Sequence, residues 1–199
     1  MFTCIKPIIL ASASPRRKRL LNNFGITFKQ CAAAIQETPF AGEQAQTFAQ
    51  RMALEKACAV ADKYPSSFVL AADTVVTIDG IIIGKPATTQ QALKILQDLQ
   101  GRTHTVITGV SLVCRKENCE EVFMQTTDIT FAQFSVAVLK AYIQTGEPMD
   151  KAGGYGLQGK GAFLVKQITG SCTNAIGLPV HDCITMLLAK KVIAVKSMQ

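Results

Sequence analysis

Tryptophan is absent from the 199 residues, aromatic side chains make up only 7%, and no segment interleaves them with basic residues. The stacking platforms of nucleic-acid-binding modules are therefore missing. Histidine occurs only as His104 and His181, and neither has a serine or cysteine partner in a recognisable nucleophile motif, so both read as structural or exposed. The seven cysteines include no CxxC pair, which argues against a zinc or redox motif and for reduced thiols lying mostly in the core. His181 and Cys183 lack the second pair that a metal site would need. No apolar run approaches the roughly 18 residues that span a bilayer. The stretch around Lys6 and Pro7 is too short for a signal-peptide core. The expectation is a cytoplasmic protein without membrane contact.

What is present supports a sizeable core: 48% of the chain is hydrophobic and 18% charged, with no repeats, linkers or low-complexity tracts, so residues 1–199 read as one domain. The formal charge of +7 suits either a nucleic-acid surface or a small polyanionic substrate, and charge alone does not choose between them.

Apolar and β-branched runs predict strands over Ile8–Ala11, Thr27–Ala34, Phe68–Ala72 and Val75–Ile78, with Asp79-Gly80 turning the last into Ile81–Ile83. Further extended segments fall at Thr103–Val113, Glu121–Phe131 and Ala162–Ile168. Helices are predicted from Pro15 to Gly25, and over Thr47–Lys63, Thr89–Leu99, Ser135–Gln144 and Pro179–Lys190, two of them opened by proline. Strands and helices interleave, but the hairpin breaks strict βαβ order, so the fold class is α/β with a mixed sheet.

Several residues are hard to explain by folding alone. Asp73 puts a carboxylate inside a run that otherwise reads as buried, which calls for a partner or a metal; a turn or β-bulge bonded to local backbone is the competing reading. Lys56 falls on the apolar stripe of Phe48, Met52, Ala59 and Val60, so it either faces inward or snorkels to water. Ser12-Ala13-Ser14-Pro15-Arg16-Arg17 leaves a strand and opens a helix, gathering free N–H groups and two guanidinium groups at the positive end of a helix dipole. It is a phosphate cradle or an ordinary capped helix with a solvated basic face. Gly84-Lys85-Pro86 presents a further cation on a restricted backbone. Lys151 to Gly161 is rich enough in glycine for a ligand to approach the backbone, with Tyr155 and Gln158 suited to reading a base.

Taken together, Leu10 to Arg17, Ala72-Asp73-Thr74-Val75-Val76, Gly84-Lys85-Pro86, Asp150-Lys151-Ala152-Gly153 with Tyr155 to Gly159, and Gly177-Leu178-Pro179 resemble, in order and over nearly the whole chain, the Maf family of nucleoside triphosphate pyrophosphatases. The resemblance implies a fold similar to inosine triphosphate pyrophosphatases: an elongated mixed sheet flanked by helices, with two lobes around a cleft. It implies hydrolysis of a nucleoside triphosphate to monophosphate and pyrophosphate, with Asp73 as the proton acceptor. Ser12, Arg16, Arg17, Lys56, Thr74, Lys85 and Gln158 match substrate-binding positions. Glu37, together with Asp73, matches the handling of a Mg²⁺ or Mn²⁺ ion, although Gln36 stands where an acidic neighbour is common. Arg16, Thr74 and Gln158 match the branch that hydrolyses dTTP and UTP. The branch preferring 7-methyl-GTP carries tryptophan after Ser-Pro, glutamine after the catalytic Asp and glutamate in the glycine-rich loop, none of which occurs here. A homodimer is implied. Pyrophosphatase activity on other non-canonical nucleotides, a basic nucleic-acid-binding role, and the regulation of cell division with which the family is associated are the alternatives.

Overall fold

The computed structural model describes residues 1–196. Its main sheet begins with β2 (Ile8–Leu10), whose three residues are buried on both faces. At Ala11 the chain leaves this strand for α1 (Pro15–Asn22), where Ser14 caps the helix by accepting from the Arg17 N–H and Pro15 takes the first turn. That geometry suits a proline, which has no N–H to lose there. Next come the two-residue edge strand β3 (Lys29–Gln30), the long helix α2 (Ala45–Ala61) and the hairpin of β4 (Phe68–Ile78) and β5 (Ile81–Ile83). Helix α3 (Thr89–Leu99) leads into the paired strands β6 (Thr103–Cys114) and β7 (Cys119–Phe131). The chain closes through α4 (Val136–Gln144), 3-10 turns, β8 (Val165–Gly170), α5 (Cys172–Ile176) and α6 (Val180–Ala189). A small second sheet pairs β1 (Phe2–Cys4) with β9 (Ile193–Val195).

The seven-stranded sheet runs β3-β2-β4-β6-β7-β8, with β5 also on β4. Strand β2 is parallel to β3 and β4, and the remaining pairs are antiparallel. The sheet is therefore mixed, as expected. Helix α2 lies flat on it because alanines recur every fourth residue, at Ala45, Ala49, Ala53, Ala57 and Ala61, all buried. Residues at this spacing share one helix face, and small side chains let the backbone come close.

Strand β4 faces two ways. Val69 and Ala71 pack with Ala57, Val60 and Ala61 of α2, and Val75 packs with Ala49 and Met52. On the other face Phe68, Leu70 and Ala72 join a core with Leu20, Leu21 and Leu187, whereas Val76 and Ile78 join a different core with Leu96, Leu99 and Leu139. Asp73 and Thr74 fall between these clusters, one on each face, because successive strand residues alternate.

Several expectations are corrected. The segment Thr27–Ala34 keeps only Lys29–Gln30 as strand, since its partner β2 offers just three residues for pairing. Strand β4 runs unbroken through Asp73, so the turn or bulge reading fails. The strand predicted over Ala162–Ile168 starts at Val165, after a 3-10 turn over Lys160–Leu164. Strands β1 and β9 and helix α5 had no clear signal, being three to five residues long. Only Cys114 and Cys183 are fully buried, so the thiols are not mostly core residues. His104 is buried, while His181 is exposed.

Candidate active site

Strand β2 pairs with β4 only over Phe68–Leu70, and β5 pairs with it only from Val76 onward. Between these stretches no described strand pairs with that edge of β4. The chain leaves β2 at this opening, where Ala11 N–H still reaches the Leu70 carbonyl at 2.8 Å. A cavity of about 430 Å³ occupies the gap, and all nine residues singled out from the sequence line it: Ser12, Arg16, Arg17, Glu37, Lys56, Asp73, Thr74, Lys85 and Gln158. Its other charged lining residues are Asp150 and Lys151.

On the α2 face, Lys56 points inward, which decides the question its sequence position left open. Its Nζ donates to Asp73 Oδ1 at 2.6 Å and pairs with Glu37 Oε1 at 2.8 Å. The side chains of Lys56 and Asp73 are about one-tenth exposed, that of Glu37 about half. Two carboxylates thus converge on one buried cationic point. Removing one partner of such a buried pair typically costs about 3–5 kcal/mol.

On the opposite face, Arg17 gives three of its five N–H groups to protein acceptors. Nε donates to the Gly177 carbonyl at 2.7 Å, Nη1 to Ser12 Oγ at 3.2 Å and Nη2 to Thr74 Oγ1 at 3.0 Å. Burial pulls this guanidinium below its ordinary pKa, with the Asp73 charge opposing the shift. Arg17 therefore ties α1, β4 and the end of α5 together. Among the described residues Arg16 pairs with Asp150 alone, at 3.7 Å, and Lys85 and Gln158 are exposed at the rim.

Residues that pattern reading missed hold these groups in place. The Glu147 carboxylate accepts from the N–H groups of Lys160 and Gly161 and from the Tyr142 hydroxyl, at 2.8, 3.0 and 3.0 Å. Burial would raise its pKa, but these donors overcome the effect and leave it lowered. The glycine-rich loop bearing Gln158 is thereby pinned. Arg51 forks onto Glu43 at 2.7 and 2.6 Å, reaches Glu55 and the Thr38 carbonyl, and stacks 3.8 Å from the Phe40 ring. It fastens the segment that carries Glu37. The Arg51/Glu55 spacing of four was a usable signal; the longer contacts had none. Tyr155 does not lie open in the loop. It is buried, its hydroxyl 2.8 Å from His104 Nε2 and its ring edge-on to Phe131.

Among the described residues no group of three or more His, Cys, Asp or Glu side chains gathers at one point, so a Mg²⁺ or Mn²⁺ ion would depend on fewer protein ligands. Glu37 and Asp73 fit that demand, because Mg²⁺ is commonly bound by one or two carboxylates together with substrate phosphates. The same described residues include no helix long and apolar enough to cross a membrane.

A family model described as Maf-like protein matches residues 7–190. A dTTP/UTP pyrophosphatase of Desulfotalea psychrophila is 44% identical over 195 residues, covering 98% of this chain and all of that protein. One of Myxococcus xanthus is 46% identical over 180 residues, 90% of each chain. Among solved structures, the Staphylococcus aureus Ham1 protein aligns with a TM-score of 0.54 at 15% identity, over 94% of this chain and 98% of that one. That likeness bears on the fold alone.

Proposed function

The chain belongs to the Maf family, and from that premise we propose that it is a nucleoside triphosphate pyrophosphatase acting on dTTP and UTP, through one domain built around the β4 edge. The observation that carries this reading is the meeting of Asp73, Lys56 and Glu37 on one face of β4 with Thr74 and Arg17 on the other, around one cavity. The dTTP/UTP pyrophosphatase names of relatives at 44–46% identity support the substrate class.

Asp73 has Oδ1 held by Lys56, which fixes the carboxylate and leaves Oδ2 to take a proton from water. That water oxygen bonds to the α-phosphorus, the bond from the α-phosphorus to the oxygen bridging to the β-phosphate breaks, and pyrophosphate leaves. Arg16, Lys85 and Lys151 line the same cavity and neutralise the triphosphate, the main demand of phosphoryl transfer. When bound by Glu37 and Asp73, Mg²⁺ or Mn²⁺ would polarise phosphate oxygens. Gln158 offers an amide donor and an acceptor that suit the imide edge shared by uracil and thymine. A cytoplasmic setting and a homodimer belong to the same proposal, and light scattering of the purified protein tests the latter.

Purified protein incubated with dTTP, UTP, CTP, GTP and ATP, with Mg²⁺, Mn²⁺ or chelator, tests the reading. Monophosphate and pyrophosphate are expected from dTTP and UTP in the presence of metal. Diphosphate and orthophosphate, or no turnover, would refute it.

A further inference from the structure

A buried hydroxyl chain leads away from the cavity behind Thr74. Thr74 Oγ1 lies 2.9 Å from Thr108 Oγ1, and Thr108 Oγ1 lies 3.1 Å from the backbone carbonyl of Asn174. Thr108 and Asn174 are both fully buried. A carbonyl oxygen can only accept, so the single proton of Thr108 is committed to Asn174. Thr108 must then accept from Thr74, and the proton of Thr74 is committed in turn. Arg17 Nη2 already takes one lone pair of Thr74 Oγ1. What remains at Thr74 is one free lone pair and no free O–H.

The chain is well anchored. The Asn174 carbonyl also accepts from the Gly177 N–H at 2.8 Å, while its side-chain amide donates to the Val106 carbonyl at 3.2 Å and Thr127 Oγ1 at 2.9 Å. Reversing the hydroxyls would break the Thr108 bond to the Asn174 carbonyl and leave that oxygen with the Gly177 N–H alone, so the direction that keeps one more hydrogen bond inside the core is favoured.

The alternation of β4 places Thr74 on the face that holds Val76 and, across the pair, Val106. These two residues line the cavity together with Tyr155 and Ile176. An apolar wall of this kind suits a planar base better than a triphosphate, and the ionised triphosphate has no donor to offer an acceptor. Resting on the pyrophosphatase reading above, we propose that Thr108 is a positioning residue for base selection. By fixing the Thr74 hydroxyl as an acceptor, it favours pyrimidines that carry an N3–H, uracil and thymine, over cytosine, whose N3 is itself an acceptor.

Thr108→Val removes the hydroxyl at nearly constant shape and frees the Thr74 proton. The kcat/KM preference for UTP over CTP is expected to fall about tenfold, the scale of one lost hydrogen-bond discrimination, with kcat on UTP kept within about twofold because Asp73 lies on the other face. Thr108→Ser should retain the wild-type preference, a rescue that a purely structural role would not produce. If the Val variant does not fold, as read by circular dichroism, Thr108→Ala makes the same test with a smaller side chain. An unchanged UTP:CTP ratio in the hydroxyl-free variant, an equal loss in the Ser variant, or a change confined to ribose against deoxyribose would overturn the proposal. Wild-type protein that releases no pyrophosphate from UTP would overturn the enzymatic reading and this proposal with it. An active wild type with an unmoved variant ratio overturns this proposal alone.

Discussion

Asp73 on β4 stands directly opposite Gly109 on β6, and a Cβ built on Gly109 would lie 2.3 Å from the backbone carbonyl oxygen of Ala49. The helix that supplies Lys56 therefore rests on the spot where the facing residue has no side chain. Close approach of helix to sheet at this point is what lets an ammonium on α2 meet a carboxylate on a central strand.

Gly109→Ala should displace α2, because the obstructing atoms are backbone and cannot rotate away. Overpacking of this kind typically costs about 1–3 kcal/mol. Chemical denaturation should register that loss, and pyrophosphate release should fall with it as Lys56 separates from Asp73. A variant with wild-type stability and turnover would show that the helix does not depend on the missing side chain.

Asp73→Asn keeps the shape of the side chain but removes the proposed proton acceptor, for which losses of about 10²–10⁴-fold in rate are typical. Glu37 still pairs with Lys56 in the variant, so the fold should survive, as circular dichroism would show. Turnover within a few-fold of wild type would exclude Asp73 as the base.

Glu147→Ala releases the backbone of Lys160 and Gly161 together with the Tyr142 hydroxyl. Since hydrogen bonds to a charged group contribute about 1.5–3 kcal/mol, the loop bearing Gln158 should loosen and KM for UTP should rise about tenfold or more. A smaller change is expected in kcat. Hydrogen exchange over residues 151–161 offers an independent check, and unaltered protection there would contradict the pinning role.

His104 is 2% exposed, and its pKa is pulled down to about 4 by burial, with Asp128 opposing. The unfolded chain takes up a proton near the ordinary value of 6.5 that the folded protein refuses until about pH 4. The stability this group contributes is thus fully present above the unfolded pKa and is lost as pH falls from about 6.5 towards 4, by up to about 3 kcal/mol. Urea midpoints measured across that window should fall more steeply for wild type than for His104→Gln. Identical slopes would assign the acid sensitivity elsewhere.

The sequence by itself determined the α/β class and marked the residues that the proposed chemistry uses. Local pattern is enough for β2, for the proline-opened α1 and for the hairpin of β4 and β5, because each is specified by neighbours a few residues apart. A charge inside an apolar run marks Asp73 and Lys56 for the same local reason: burial of an ionised group demands a partner. Only the tertiary structure decided who the partners are. Lys56 meets Asp73 and Glu37 from 17 and 19 residues away, Arg17 meets Gly177 across 160 residues, and Thr108 meets Asn174 across 66. Such contacts depend on strand order, on where pairing along β4 stops, and on how closely α2 can approach Gly109, none of which a periodicity encodes. The nine residues named from the chain line one cavity because β4 leaves its edge open between Leu70 and Val76, and the alternation of that strand sends Asp73 to one face and Thr74 to the other.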